Sequence, residues 1–418
     1  MNWSRRDTAV ATTLVTAAGL LAFILVLNLD PRFLDPATGN DIWFEGDLGR
    51  LADEMTHRWA AHSRAPVHPL FSLLTVSAAY PLRALGLGPT AAVAAVSALS
   101  AGAWMLACYA LMRALGHAAL DALALALLAA CSAAGLFWLT VPETMALGSA
   151  SVLAAVTVGV VASERHIRER WLIAASAASL SITVTNWMAG LAASAMSLTW
   201  KRAIQVSANA LALVVVLWGV QRVVVPHADF FVGYSNEQRY FLRPEAQGPL
   251  SAVKVSIVNG MMMPRLSTTV KPGRGSILTV QGSRLREQTA LWMAGTSVWL
   301  IVVACGVYVS LVRKPGRPGE RLVLIVAAGQ LALDAIYGTE TFLYTLNLIP
   351  LLVAVGGAGL ESRGRWLVRA GVVALLVMAV TSNARRLHEA RRYFTPAVAA
   401  RIVSTLAPTS VPSSAALR

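Results

Sequence analysis

An all-α polytopic membrane protein is the fold class this sequence predicts, and three observations predict it. The 418 residues are 56% hydrophobic and only 13% charged, with a mean hydropathy of +0.60. A soluble domain of this length needs a polar skin that such a composition cannot supply. The apolar residues also fall into repeated runs of about 20, the length a helix needs to cross a bilayer core. Basic residues concentrate in the short segments between runs, as the positive-inside rule requires.

The runs, taken in order, predict about eleven transmembrane helices near 9–29, 88–112, 118–139, 143–162, 171–185, 186–200, 204–225, 291–312, 321–337, 341–360 and 366–383. The first is too long for a signal peptide, lacks a small-residue cleavage site and is followed by many like it. Arg5 and Arg6 place the N-terminus in the cytoplasm. Basic stretches at 164–170, 201–202, 313–317 and 363–365 mark further cytoplasmic loops. If 67–85 also crossed, all four would land outside. The reading that repairs the parity has 67–85 lying at the outer interface or re-entering, as Pro69, Pro81 and the Gly86–Pro89 punctuation allow. The C-terminus is then external.

Four parts follow. Residues 1–225 form an N-terminal transmembrane module whose first external loop, 30–87, is acidic. Residues 226–290 form a basic external loop with eight Lys/Arg against four acids. Residues 291–383 are C-terminal transmembrane helices, and 384–418 an external tail. The net charge of +14 does not point to nucleic acid, because no basic cluster interleaves with aromatics on a soluble module. Cys108, Cys131 and Cys305 all lie in apolar runs and read as small buried hydrophobes.

The first loop carries the chemistry-bearing residues. Between Asp30 and Pro69 stand seven carboxylates: Asp30, Asp35, Asp41, Glu45, Asp47, Asp53 and Glu54. From Asp47 to Ser63, Leu48, Leu51, Met55 and Trp59 recur at helical spacing, giving an interfacial amphipathic helix. Asp47 at its start is a catalytic candidate, or merely an N-cap. Arg58 is placed to meet substrate, or to pair with Glu54 at i, i+4. Glu143, in Thr140-Val141-Pro142-Glu143, is either functional on the same side as Asp47 or part of a capping box. Asn186 is a substrate contact or a polar helix break. Tyr337, Glu340 and Tyr344, close to Asp334, cluster at the junction of two late spans, where ionisable groups are costly and therefore usually functional. Arg243, Arg265, Lys271 and Arg274 are candidate phosphate ligands, with anionic headgroups as the neutral alternative. His57, His62 and His68 lack zinc-helix spacing, so no metal ligand set is assigned. There is no Walker loop, GxSxG or dinucleotide fingerprint.

A first span, an acidic residue on a juxtamembrane helix and then His68-Pro69-Leu70 resemble the GT-C glycosyltransferases, in the protein O-mannosyltransferase and aminoarabinose transferase branches. There an Asp-Glu-x-x-Tyr-like motif precedes His-Pro-Pro-Leu or Lys-Pro-Pro-Leu; here Asp47-Leu48-Gly49-Arg50-Leu51 stands in for the first. Leu48 replaces the second acid, Leu51 the aromatic, and one proline is missing, so either Asp47 or Asp41 is the equivalent carboxylate. The resemblance covers roughly residues 10–200. It implies interfacial helices in the first external loop and a second acidic residue where Glu143 stands. It also implies transfer of a sugar from a polyprenyl-phosphate donor to a hydroxyl of a glycan, lipid or protein acceptor. The reaction would take place at the periplasmic face of a bacterial inner membrane, with inversion and a carboxylate general base. His68 belongs to the second motif and is expected at the substrate. No cofactor is implied with certainty, and a divalent cation stays open. The rival readings are a secondary transporter, for which no inverted repeat is visible, and an O-antigen polymerase or ligase.

Overall fold

The structure, a computed structural model, describes residues 3–233, 248–271, 275–313 and 317–394. Its helices in chain order are α1 (Arg5–Leu27), α2 (Pro31–Leu34), α3 (Leu48–Thr56), α4 (Phe71–Ala84), α5 (Pro89–Ala114), α6 (Ala119–Cys131), α7 (Ala133–Trp138) and α8 (Met145–Glu164). They continue as α9 (Glu169–Ile182), α10 (Trp187–Ser197), α11 (Trp200–Val224), α12 (Pro249–Lys254), α13 (Ala290–Tyr308), α14 (Pro318–Ile336), α15 (Thr345–Gly357) and α16 (Arg365–Arg391). The chain is a helical, multi-pass membrane protein. Among the described residues, seven helical segments are long and apolar enough to cross a bilayer: α1, α5, α8, α11, α13 with its extension to Arg313, 341–361 around α15, and α16.

Helices occupy the other four expected positions without meeting that standard, and local sequence explains the clearest case. The run 118–139 breaks at Ser132, whose hydroxyl donates to the Ala129 carbonyl and accepts the Gly135 N–H. Two shorter helices, α6 and α7, result. Helices α9 and α10 have 14 and 11 residues. At 1.5 Å per residue both fall short of the roughly 30 Å hydrocarbon core. The segment 67–85 holds α4, also 14 residues, or about 21 Å long.

The bundle grows by neighbour packing: α1 on α5, α5 on α8, α8 on α9 and α10, and α13 against α15 and α16. The loop 226–290 is not simply a solvated external segment. Its stretch 255–263 enters the bundle, with Met261, Met262 and Met263 fully buried. The Ser132 break receives it, since the Ala133 and Ala134 N–H groups donate to the Met261 and Gly260 carbonyls. Asn383 of α16 holds it further, accepting from the Met263 N–H at 2.8 Å and donating to the Met261 carbonyl at 2.9 Å.

A four-stranded sheet, unforeseen in the helical reading, joins the two long loops. β1 (Asn40–Trp43) and β2 (Gly46–Asp47) come from the first, β3 (Ser267–Lys271) and β4 (Gly275–Thr279) from the second, in the order β2-β1-β4-β3. β1 pairs with β4 in parallel through Trp43 and Leu278. The end of α16 docks at the same place: Arg32 stacks over Phe394, and the Tyr393 hydroxyl donates to the Ser276 carbonyl. Helix α16 therefore runs eight residues beyond the expected boundary at 383.

Candidate active site

The β1–β2 hairpin aims the acidic loop. Its two-residue turn is Phe44-Glu45, with φ of +51° and +60°, the sign a primed hairpin turn demands. Asn-Gly normally fills such a turn; here Phe and Glu adopt a backbone costing of order 1–3 kcal/mol per residue. Packing holds it. Phe44 is fully buried among Trp43, Phe137, Trp138 and Phe342, with ring centroids 5.0–6.3 Å away. The Glu45 carboxylate accepts from the Thr339 hydroxyl at 2.5 Å, across the molecule. Asp41, at φ +64°, opens the hairpin.

Helix α3 follows and ends at Thr56 rather than Ser63. Leu48, Leu51 and Met55 are buried as the periodicity predicts, whereas Trp59 lies past the helix end and is exposed. Asp47 occupies the N-cap position but makes no capping hydrogen bond. Its carboxylate instead meets two guanidiniums, Arg50 at 2.5 Å and Arg64 at 3.5 Å. Both engage Oδ2, which leaves Oδ1 outside either ion pair. Arg50 also bridges to Glu54 at 2.9 Å. Burial pushes the Glu54 carboxyl above its ordinary range, against the pull of Arg50. Glu54 thus pairs with Arg50, not Arg58, and neither Glu45 nor Glu54 is solvated surface.

Asp47, Arg50 and Arg64 line a cavity of about 310 Å³ at one end of the bundle, together with Glu143, His68, Tyr337 and Tyr344. The capping box expected at Thr140–Glu143 does not form: the Thr140 hydroxyl donates back to Leu136, and α8 starts only at Met145. Glu143 accepts the Thr144 N–H at 2.8 Å. Burial first, and the Asp47 charge second, push the Glu143 carboxyl up to about 8, so it holds its proton near neutral pH. Burial lowers His68 to about 4. Its Nδ1 lies 2.8 Å from the Ile182 carbonyl, which selects the neutral tautomer carrying the proton on Nδ1 and leaves Nε2 as acceptor. Tyr337 and Tyr344 meet edge to face at 5.7 Å. Gly338 between them has φ +83°, and a Cβ there would strike the Tyr344 ring at 2.9 Å, so only glycine closes this corner.

The cavity lining thus includes Asp47, Asp41, Glu143, His68, Tyr337 and Tyr344. Asn186 is buried just behind it, within 3.4 Å of Gln330 and Asn347, which do line it. Glu340 is buried beside the sheet, accepting from the Thr279 hydroxyl. Arg58 lies elsewhere: it donates to the Val223 carbonyl at 3.1 Å and stacks over Trp59. Of the four second-loop cations, Arg265 is exposed and outside the cavity lining, Arg243 and Arg274 fall outside the described residues, and only the backbone of Lys271 is described, in β3. Among the described residues, the cations in the cavity wall are Arg50 and Arg64. Arg50 was legible by spacing, three residues after Asp47 and four before Glu54. Nothing local distinguishes Arg64. No group of three or more His, Cys, Asp or Glu among the described residues is arranged to hold a metal ion.

No family model and no curated protein sequence matches the chain. Among solved structures it is similar to the crystal structure of ArnT from Cupriavidus metallidurans bound to undecaprenyl phosphate. The TM-score is 0.58 at 14% identity, covering 96% of this chain and 81% of that one. The fold is GT-C-like. At that identity the likeness is one of architecture; the roles of the cavity residues rest on the geometry above.

Proposed function

We propose that this GT-C-like chain is a glycosyltransferase that moves a sugar from a polyprenyl-phosphate donor to an acceptor hydroxyl, at the outer face of a bacterial inner membrane. The observation that carries the reading is one cavity wall holding a carboxylate paired with two guanidiniums and a second, buried carboxyl, at the membrane-loop end of a fold similar to that of ArnT bound to undecaprenyl phosphate. Asp47 acts as general base, its Oδ2 steered by Arg50 and Arg64 and its Oδ1 taking the acceptor proton. The acceptor oxygen forms a bond to the anomeric carbon as the bond from that carbon to the phosphate oxygen breaks. The electron pair leaves with the polyprenyl phosphate, and the single displacement inverts the centre. Asp41 is the alternative base on the same wall. Arg64 is the cation best placed to meet the departing phosphate, since Arg50 is held between two carboxylates. Glu143, protonated, gives a hydrogen bond rather than taking a proton.

Purified protein in proteoliposomes, supplied with polyprenyl-phosphate-linked sugars and a hydroxyl acceptor, should release sugar-free lipid phosphate in step with product. Solute accumulation inside vesicles without bond cleavage would replace this reading with a transporter.

A further inference from the structure

Part of the cavity wall is built from uncharged amides. Gln330 of α14 and Asn347 of α15 line it, and Asn186 lies behind them. All three side chains are at most 5% exposed. The Asn186 carbonyl oxygen receives the Gln330 and Asn347 amides at 3.4 Å each, the long edge of hydrogen-bond range. That leaves Asn186 Nδ2, Gln330 Oε1 and Asn347 Oδ1 buried with no partner. Three such groups at one spot are costly to leave unmet. Rotating all three amides exchanges donors with acceptors but leaves the same number unmet.

Gly148 of α8 keeps the spot open: a Cβ there would sit 3.2 Å from Asn186 Nδ2. The chemistry required is narrow. An ammonium offers only donors and a phosphate or carboxylate only acceptors, whereas a hydroxyl offers both.

We infer that Asn186, Gln330 and Asn347 form the subsite for the transferred sugar, and that they select a neutral, hydroxyl-bearing ring. The inference rests on the glycosyltransferase reading above and adds the class of sugar to it. Bound hydroxyls supply the partners the amides lack, and none of the three side chains carries a charge to meet an ammonium.

The test compares binding of sugar-free polyprenyl phosphate with binding of polyprenyl-phosphate-linked neutral and amino sugars to wild-type protein, Asn347→Leu and Gln330→Met. Wild type should prefer a neutral sugar-linked lipid over the sugar-free one. The variants should lose that preference by about tenfold or more while keeping their affinity for the sugar-free lipid. Gly148→Ala fills the floor without deleting an amide and should lose it too, so the test survives if either amide variant fails to fold. Variants that keep the wild-type preference, or a wild type that prefers the amino sugar or gains nothing from any sugar, would overturn the inference alone. A wild type that binds no polyprenyl phosphate would instead overturn the transferase reading beneath it.

Discussion

At the scale of single residues, the site is made by what its carboxylates touch. Asp47 sits where an N-cap would sit yet gives its Oδ2 to Arg50 and Arg64. This local choice makes sense for a group that works on a ligand. On the proposed mechanism, Arg64→Gln should lower turnover by about 10²-fold or more with little change in folding, because it would remove charge stabilisation from the leaving phosphate. Single-turnover kinetics would read the loss. Glu143 makes a second prediction, about pH. Its folded value, about 8, lies above the ordinary 4.5. The folded state therefore binds the proton more tightly, and its contribution to stability is fully present below about 4.5 and is lost as pH rises toward 8. Glu143→Gln, which cannot ionise, should flatten that decline, and thermal midpoints in detergent from pH 5 to 8 would show whether it does.

At the scale of elements, the hairpin Asn40–Asp47 is the unit that brings acids to the cavity. Its strained turn is held by the aromatic cluster under Phe44 and by the clasp between Glu45 and Thr339. Phe44→Ala should cost about 3–5 kcal/mol by opening a cavity in that cluster, measured by denaturant unfolding in mixed micelles. The helix α3 stripe of Leu48, Leu51 and Met55 was legible in the sequence because a 3.6-residue period leaves a trace in composition. The strands were not. Segments of two to five residues carry almost no periodicity, and the pairing of Trp43 with Leu278 spans more than 230 positions. The same limit hid Gln330 and Asn347, ordinary polar letters in apolar runs until α14 and α15 bring them to Asn186. It also hid the buried stretch 255–263, whose burial depends on the break at Ser132 far upstream.

At the scale of the whole molecule, the two long loops and the end of α16 form one assembly over one end of the bundle, tied by the sheet, by Arg32 on Phe394 and by Tyr393 on Ser276. The resemblance legible in residues 10–200 pointed to the architecture that the similarity to ArnT then bore out. Topology adds a prediction. In a cysteine-free background, single cysteines at exposed Trp59 and Leu285 should react with an impermeant reagent from the same side of the membrane, and one at Trp171 from the other; labelling of all three from one side would break the proposed orientation. The central claim is that this end of the molecule transfers a sugar with Asp47 as base. The most direct measurement is transfer from a polyprenyl-phosphate-linked sugar by purified Asp47→Asn protein matched to wild type in amount and thermal midpoint. The account predicts a loss of about 10²–10⁴-fold, and transfer at the wild-type rate would contradict it.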